Sequence, residues 1–150
     1  MNANSLKYTK IIGAHLYTKT YLFYTMPEEE PYQIAHMDFK EKRQIQELIK
    51  KLASEERIGL DEHIYRNNRA YDRWGINPFQ LFEFIKQLLN NPEIIRKEVH
   101  DTEYFPKRYL CESESNEYIY PCVIGIGESN HGLILVITLL NRKKKIKLKR

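Results

Sequence analysis

The chain has 150 residues, of which 42% are hydrophobic and 29% are charged, a composition typical of one globular domain and not of a disordered chain. No apolar run reaches the ~18 residues that a membrane-spanning helix needs, and the first ten residues lack the apolar core of a signal peptide. We therefore expect a cytoplasmic protein that has no membrane contact.

The net charge of +4 depends on the C-terminus of the chain. The last nine residues, "RKKKIKLKR", hold seven of the 24 basic side chains and no acidic one. Without them, 17 basic side chains stand against 20 acidic ones, so the body of the protein is slightly acidic. Affinity for an anionic partner must come from this tail and from local patches rather than from the whole surface.

The first third of the chain predicts a β-hairpin. Residues 10–26, "KIIGAHLYTKTYLFYTM", are rich in β-branched and aromatic residues, which favour strands. The sequence "PEEEP" interrupts this run, and "YQIAHMDF" then predicts a strand that returns beside it. Residues 1–9, which precede the hairpin, are predicted to be disordered.

Three helices are predicted in the middle of the chain. The first spans about 40–56 and has apolar residues at helical spacing, namely Ile45, Leu48, Ile49 and Leu52. The second spans about 60–74 and ends at Gly75. The third begins at "NP", with Pro78 at the first helical position, and ends at "NNPE", after which a short turn is expected.

The last third of the chain predicts an antiparallel β-meander. Its strands are "KRYLCES", "EYIYPCVIGIG" and "GLILVITLLN", and "ESN" and "ESNHG" are the turns between them. Strands, then helices, then a meander that packs on the helices make an α+β fold. We expect one domain over residues 1–150, with residues 143–150 as a basic tail.

Neither the cysteines nor the histidines predict a metal site. Cys111 and Cys122 match no metal-binding motif; a disulfide across a hairpin is one interpretation, and reduced core thiols are the preferred one. The five histidines are scattered, and the sequence contains neither HExxH nor CxxC. We expect no cofactor.

The stretch "HIYRNNRAYDRWG" at 63–75 is the first candidate for chemistry. On a helix, one side would carry the apolar residues Leu60, Ile64, Tyr71 and Trp74, and nearly the opposite side would carry Arg66, Arg69 and Arg73. His63 would lie at the boundary, where an imidazole can exchange a proton at cellular pH. Two interpretations stay open, an ordinary solvated face and a site in which guanidinium groups grip phosphate oxygens.

The strands of the meander contribute further candidates. Thr138 interrupts the aliphatic run "LILVITLLN", and its hydroxyl needs a partner if it is buried. A threonine that faces solvent or bonds locally is the alternative. Lys107 and Arg108 begin the first strand of the meander and could place a cation on the same face of the sheet.

The order of these features over about residues 58–142 resembles the barnase/EndoU/colicin/RelE-like family of small ribonucleases, which occur in phage proteins and bacterial toxins. The resemblance implies that a helix-borne histidine or arginine, a strand-borne cation and a serine or threonine of the last strand converge on the sheet. The matching positions in this sequence are His63 and Arg66, Arg108 or Lys107, and Thr138.

The resemblance implies a metal-independent endoribonuclease, in which the ribose 2′-hydroxyl attacks the neighbouring phosphorus. Histidine would transfer the proton, and arginine would stabilise charge on the phosphoryl oxygens. Residues expected to bind the RNA, such as a tRNA or mRNA, are Arg69, Arg73, Lys107, Tyr65 and Tyr109. A toxin of this kind would have a cognate immunity or antitoxin protein and could be delivered into a target cell.

A second function from a different class also fits the sequence. A non-catalytic binding protein, either an immunity or antitoxin-type partner or a degenerate nuclease relative, would use its acidic body to contact a basic protein. The sequence "PEEEP" would be its contact loop.

Overall fold

The structure is a computed structural model, and it describes residues 3–24, 31–65, 78–102, 105–127, 132–140 and 142–143. The strands of this part of the chain form one nine-stranded mixed sheet. The N-terminal strands β1 (Ala3–Ile12) and β2 (His15–Tyr24) form an antiparallel pair around Gly13, whose φ of 63° is the left-handed conformation that a tight turn needs. The structure therefore places residues 3–9, predicted to be disordered, in β1.

The predicted pairing of residues 10–26 with "YQIAHMDF" is not confirmed. Gly13 breaks the first run, and strand β3 (Tyr32–Ala35) pairs instead with β5 (Glu93–His100) at the far edge of the sheet. Strand composition reveals which residues are extended, but the partner of each strand depends on contacts that are distant in sequence.

The first and third predicted helices are present. Helix α1 (Phe39–Ser54) begins after Asp38, whose side chain accepts a 2.7 Å hydrogen bond from the Glu41 backbone N–H, and it buries Ile49, Leu52 and Ala53. Helix α3 (Pro78–Leu88) has Pro78 at its first position, where the missing N–H costs nothing.

The second predicted helix, over 60–74, is not confirmed. Residues Ile58–Asp61 form the buried strand β4, and only the single turn α2 (Glu62–Tyr65) follows before residues 66–77, which lie outside the described part of the chain. The helical spacing of Leu60 and Ile64 was misleading, because Leu60 lies in a strand with neighbours on both edges, where apolar residues need not alternate.

The predicted C-terminal meander is confirmed. Strands β6 (Lys107–Ser115), β7 (Tyr118–Ile126) and β8 (Ile134–Leu139) are successive antiparallel neighbours, and β5 precedes them where the sequence suggested only a turn. The sheet order is β1-β2-β4-β8-β7-β6-β5-β3, and the two-residue strand β9 (Arg142–Lys143) pairs with the start of β7. The fold is thus α+β.

The two faces of the sheet have different contents. On the helix face, residues of the strands and helices form one apolar core, in which the free thiols of Cys111 and Cys122 are buried directly opposite each other. On the other face, here called the second face, successive strands place Glu98, Arg108, Gly125 and Leu135 in one row. Among the described residues, no helix is long and apolar enough to cross a membrane.

Candidate functional site

A buried carboxylate and a buried imidazole lie side by side on β5. Glu98 and His100 are 3% and 7% exposed, and the alternation of a strand points both side chains to the second face. The His100 Nε2 atom lies 3.1 Å from Glu98 Oε1. We call Glu98, His100 and the two arginines described next the Glu98–His100 cluster.

Two arginines flank this carboxylate. The Arg96 guanidinium donates from Nε at 2.9 Å and from Nη2 at 2.8 Å to Glu98 Oε2, and the Arg96 side chain keeps 38% of its surface exposed. Arg108 lies directly opposite Glu98 in the β5–β6 register and is 8% exposed. Buried charges are tolerated only when they are paired, and Arg96 supplies that cation for Glu98, whereas Arg108 Nε donates to the Phe105 carbonyl.

Two aromatic side chains cover the cluster. The Tyr32 ring of the edge strand β3 stacks on the His100 imidazole, with 4.7 Å between the ring centroids and 21° between the planes. Phe105, in the β5–β6 connection, lies against Gly125, and its carbonyl accepts a 3.0 Å hydrogen bond from Arg108 Nε. Within the cluster, the Arg96 side chain is consequently the part that faces solvent. Tyr32, which covers His100, is itself 40% exposed.

The second ring nitrogen of His100 has an unusual environment. Its Nδ1 atom is buried and has no hydrogen-bond partner among the residues that the structure describes; an unsatisfied buried group of this kind costs about 1–3 kcal/mol relative to a satisfied one. If the ring donates from Nε2 to Glu98, Nδ1 keeps a lone pair and can accept a proton. A carboxylate that fixes one ring nitrogen so that the other acts as a base is a recurrent arrangement in acid–base catalysis.

The sequence-predicted residues on the strands divide between the two faces of the sheet. Arg108 belongs to the Glu98–His100 cluster. Thr138 is half-buried on the same face and lies in the row of Arg96, three strands away, so that their Cα atoms are roughly 14 Å apart at the usual strand spacing. Lys107 and Tyr109 lie on the helix face, where Tyr109 is 3% exposed, and the structure does not bring them to the cluster.

The helix-borne candidates lie at another part of the sheet. The backbone of His63 and Tyr65 forms α2, directly after β4. Strands β4 and β8 are parallel, so their C-terminal ends lie side by side. Helix α2 follows the end of β4 and therefore lies near Thr138 at the end of β8, not near the first residues of β6. Arg66, Arg69 and Arg73 lie outside the described residues, as do Tyr71 and Trp74.

Sequence reasoning missed three members of the cluster. Arg96, Glu98 and His100 occur in "IIRKEVH", where alternate positions are charged or titratable. On a strand this period of two places all three side chains on one face. From the sequence, only a short turn is expected after residues 90–93. The alternate spacing of Arg96, Glu98 and His100 could therefore have predicted this part of the cluster. The position of Tyr32 beside His100 could not be predicted in this way, because it depends on the unexpected pairing of β3 with β5.

Comparison with known proteins found no matching family model, and no curated protein or solved structure with a significant match to the chain. Within the described residues, no group of three or more histidine, cysteine, aspartate and glutamate side chains could hold a metal ion.

Proposed function

We propose that the protein is a metal-independent endoribonuclease of the toxin or phage-associated type. The observation that carries this proposal is the buried Glu98–His100 pair, whose Nδ1 has no partner among the described residues, with Arg96 bound to Glu98 and Arg108 opposite it on one face of the sheet. These are a proton-transfer group, a carboxylate that orients it and cations for a phosphate. RNA cleavage by its own 2′-hydroxyl needs these groups and no external nucleophile.

In the proposed reaction, the RNA displaces the Tyr32 ring that covers the His100 imidazole, and His100 Nδ1 then takes the proton of the ribose 2′-hydroxyl. The O2′–P bond forms and the P–O5′ bond breaks, so the products are a 2′,3′-cyclic phosphate and a 5′-hydroxyl. The leaving 5′-oxygen takes its proton from water on the opposite side of the phosphorus, and the imidazolium returns its proton to solvent. Glu98 would hold the ring and stabilise its charged form. Arg96, the more exposed arginine, would contact the phosphoryl oxygens, whereas the buried Arg108 would hold Phe105 in place beside the site through its hydrogen bond to the Phe105 carbonyl.

The residues predicted from the sequence offer a second candidate active site for the same reaction. His63, Arg66 and Thr138 would form a site at the edge where β4 and β8 end. Both locations predict the same products, so variants of the two histidines distinguish them.

The test is cleavage of total RNA in the presence of a chelator. We expect the wild-type protein to cleave, and His100→Gln to lower the rate by ~10²–10⁴, as loss of a general base usually does. Arg96→Lys should also lower the rate, since an ammonium cannot reproduce the two guanidinium bonds to Glu98 or grip a phosphate bidentately. His36→Gln is the matched control, because His36 is an exposed histidine on the loop before α1.

Three results would contradict parts of this proposal. If the wild type cleaves none of several RNA classes, the function is wrong. If His100→Gln cleaves normally while His63→Gln does not, the site is the sequence-derived one. If His100→Gln unfolds at a much lower denaturant concentration than the wild type, His63→Gln decides the location instead: normal cleavage by that variant excludes the sequence-derived site.

A second candidate function is supported by exposed apolar side chains. Five of the eight large hydrophobic residues that are exposed among the described ones gather near the β3–β5 edge of the sheet, a concentration that can mark a protein-binding surface. They are Tyr32, Ile34, Phe39, Ile95 and Val99. A non-catalytic partner of a basic nuclease would bind through this edge, would not cleave RNA, and would lose affinity on the substitution Ile34→Lys.

A further inference from the structure

A cleft on the helix side of the sheet is separate from the Glu98–His100 cluster. It has a volume of about 470 Å³ and lies between the first half of α1 and the segment that leads into β5. Its wall on α1 consists of side chains spaced i, i+3, i+4 and i+7, namely Phe39, Lys42, Arg43 and Gln46. Its other wall is residues 91–94, which Gln46 fixes by donating a 2.7 Å hydrogen bond from Nε2 to the Pro92 carbonyl. We call this the α1–β5 cleft.

An aromatic ring at the mouth of the cleft is exposed to an unusual degree. Phe39 is 75% exposed, more than any other large hydrophobic residue whose exposure the structure gives. It is the first residue of α1, and the Asp38 cap fixes the start of that helix. The capped backbone therefore holds Phe39 at the surface, and most of its side chain is open to solvent.

Two cations lie one helical turn from this ring. The Lys42 and Arg43 side chains form no ion pair with any carboxylate in the described part of the chain. Two glutamates of α1 have other partners, since Glu41 pairs with Lys97 at 2.6 Å and Glu47 lies 3.9 Å from Lys50. Glu93 is the one carboxylate in the lining, so the charged side chains that line the cleft sum to a positive charge.

We propose that the α1–β5 cleft binds one nucleotide unit of a single-stranded nucleic acid, with the base against Phe39 and the phosphate between Lys42 and Arg43. Its volume is in the range of small-ligand sites, and stacking on an aromatic ring beside cations is how proteins bind unpaired strands without base-specific contacts. A base in a duplex is already stacked and cannot offer its face to Phe39. An acidic peptide would satisfy the cations but leave the phenyl ring without a planar partner.

This inference does not depend on the proposed cleavage, and its test uses a probe that cannot be cleaved by 2′-hydroxyl attack. Binding of a fluorescein-labelled single-stranded oligodeoxythymidylate to the full chain is measured by fluorescence anisotropy at several salt concentrations. Phe39→Ala should weaken binding by about ten-fold, the usual effect of losing one stacked base. Arg43→Gln should weaken it to a similar degree and reduce the salt dependence by about one ionic contact.

Two variants of α1 are matched controls. Leu48→Ala removes a large apolar side chain that is 37% exposed but does not line the cleft, and Lys50→Gln removes a cation that lies beside Glu47. Both should bind like the wild type. The basic tail is present in every variant, so its contribution cancels in the comparison.

The proposal is overturned if Phe39→Ala and Arg43→Gln bind no more weakly than the two controls. It is also overturned if only Arg43→Gln binds more weakly, because the cleft would then hold an anion without a base. Displacement of the probe by inorganic phosphate or a polyglutamate peptide at equal charge concentration would overturn it for the same reason. Equal affinity for a duplex of the same length would show that an unpaired base is not what is recognised.

Discussion

The close contact between Gly125 and Phe105 allows a test of how the second face is assembled. A Cβ atom added to Gly125 would lie 2.7 Å from Phe105 Cβ and 2.9 Å from both Cγ and Cδ1. Carbon atoms in contact are normally about 3.5–4.0 Å apart, so Gly125→Ala must move the Phe105 side chain by roughly 1 Å.

Phe105 cannot move independently of the Glu98–His100 cluster. Its φ of 52° is a left-handed conformation that phenylalanine rarely adopts, and its carbonyl accepts the hydrogen bond from Arg108 Nε. Overpacking costs about 1–3 kcal/mol, and loss of a hydrogen bond from a charged group costs about 1.5–3 kcal/mol. Since the two costs overlap, we expect Gly125→Ala to lower the free energy of unfolding by roughly 2–4 kcal/mol.

Urea unfolding at equilibrium measures this difference, and Gly127→Ala is the control. The Cβ atom added at Gly127 would lie 3.5 Å from Phe105 Cε1, an ordinary contact, so that variant should keep the wild-type midpoint. If the two variants unfold at the same urea concentration, Phe105 is not held against the sheet as described. On the proposed function, Gly125→Ala should also slow RNA cleavage, because Arg108 loses the acceptor that fixes it.

Three further predictions concern other parts of the molecule. Burial raises the pKa of Cys122 to about 12 and that of Cys111 well above 9.0, so at about pH 8 iodoacetamide should label neither thiol until urea is added. Because the fold favours the neutral thiols, the free energy of unfolding should fall as the pH rises from about 9 towards 12. Rapid labelling of the native protein would contradict this burial. The sequence places Trp74 on the apolar side of the stretch 63–75, so we expect Trp74→Ala to lower the free energy of unfolding by about 3–5 kcal/mol; an unchanged unfolding midpoint would show that the indole is not buried. Deletion of residues 143–150 should weaken salt-sensitive RNA binding without reducing turnover, and a deletion variant that folds and binds RNA but does not cleave it would place chemistry in the tail.

Local patterns predicted the elements whose neighbours are close in sequence. The meander follows from three β-rich runs separated by short turns, and α1 and α3 follow from apolar periodicity together with Pro78 at a helix start. The failures share a cause. Leu60 in β4 and Tyr32 in β3 pair with strands more than 60 residues away, and no local pattern encodes a partner at that distance.

The candidate site was predictable only in part for a similar reason. Arg108 could be named because it begins a strand of the meander, but Glu98 and His100 were missed together with the strand that carries them. Once β5 is recognised as a strand, the spacing of Arg96, Glu98 and His100 places them together with no further information. The row that joins Glu98 to Arg108 then depends on the β5–β6 register, which a bulge between Ile94 and Arg96 shifts.

The contrast between the two buried pairs of the sheet is what favours a functional role for one of them. Cys111 and Cys122 sit directly opposite each other in the apolar core, where neutral thiols pack as small hydrophobic groups and need no partner. Glu98 and His100 are also buried but are polar, and within the described part of the chain Nδ1 of His100 has no hydrogen-bond partner. Replacing such groups by apolar residues of similar volume often leaves a fold equally stable or more so. Stability alone therefore gives little reason to keep a buried carboxylate, an imidazole and a guanidinium group together, whereas the proposed function gives each of them a role.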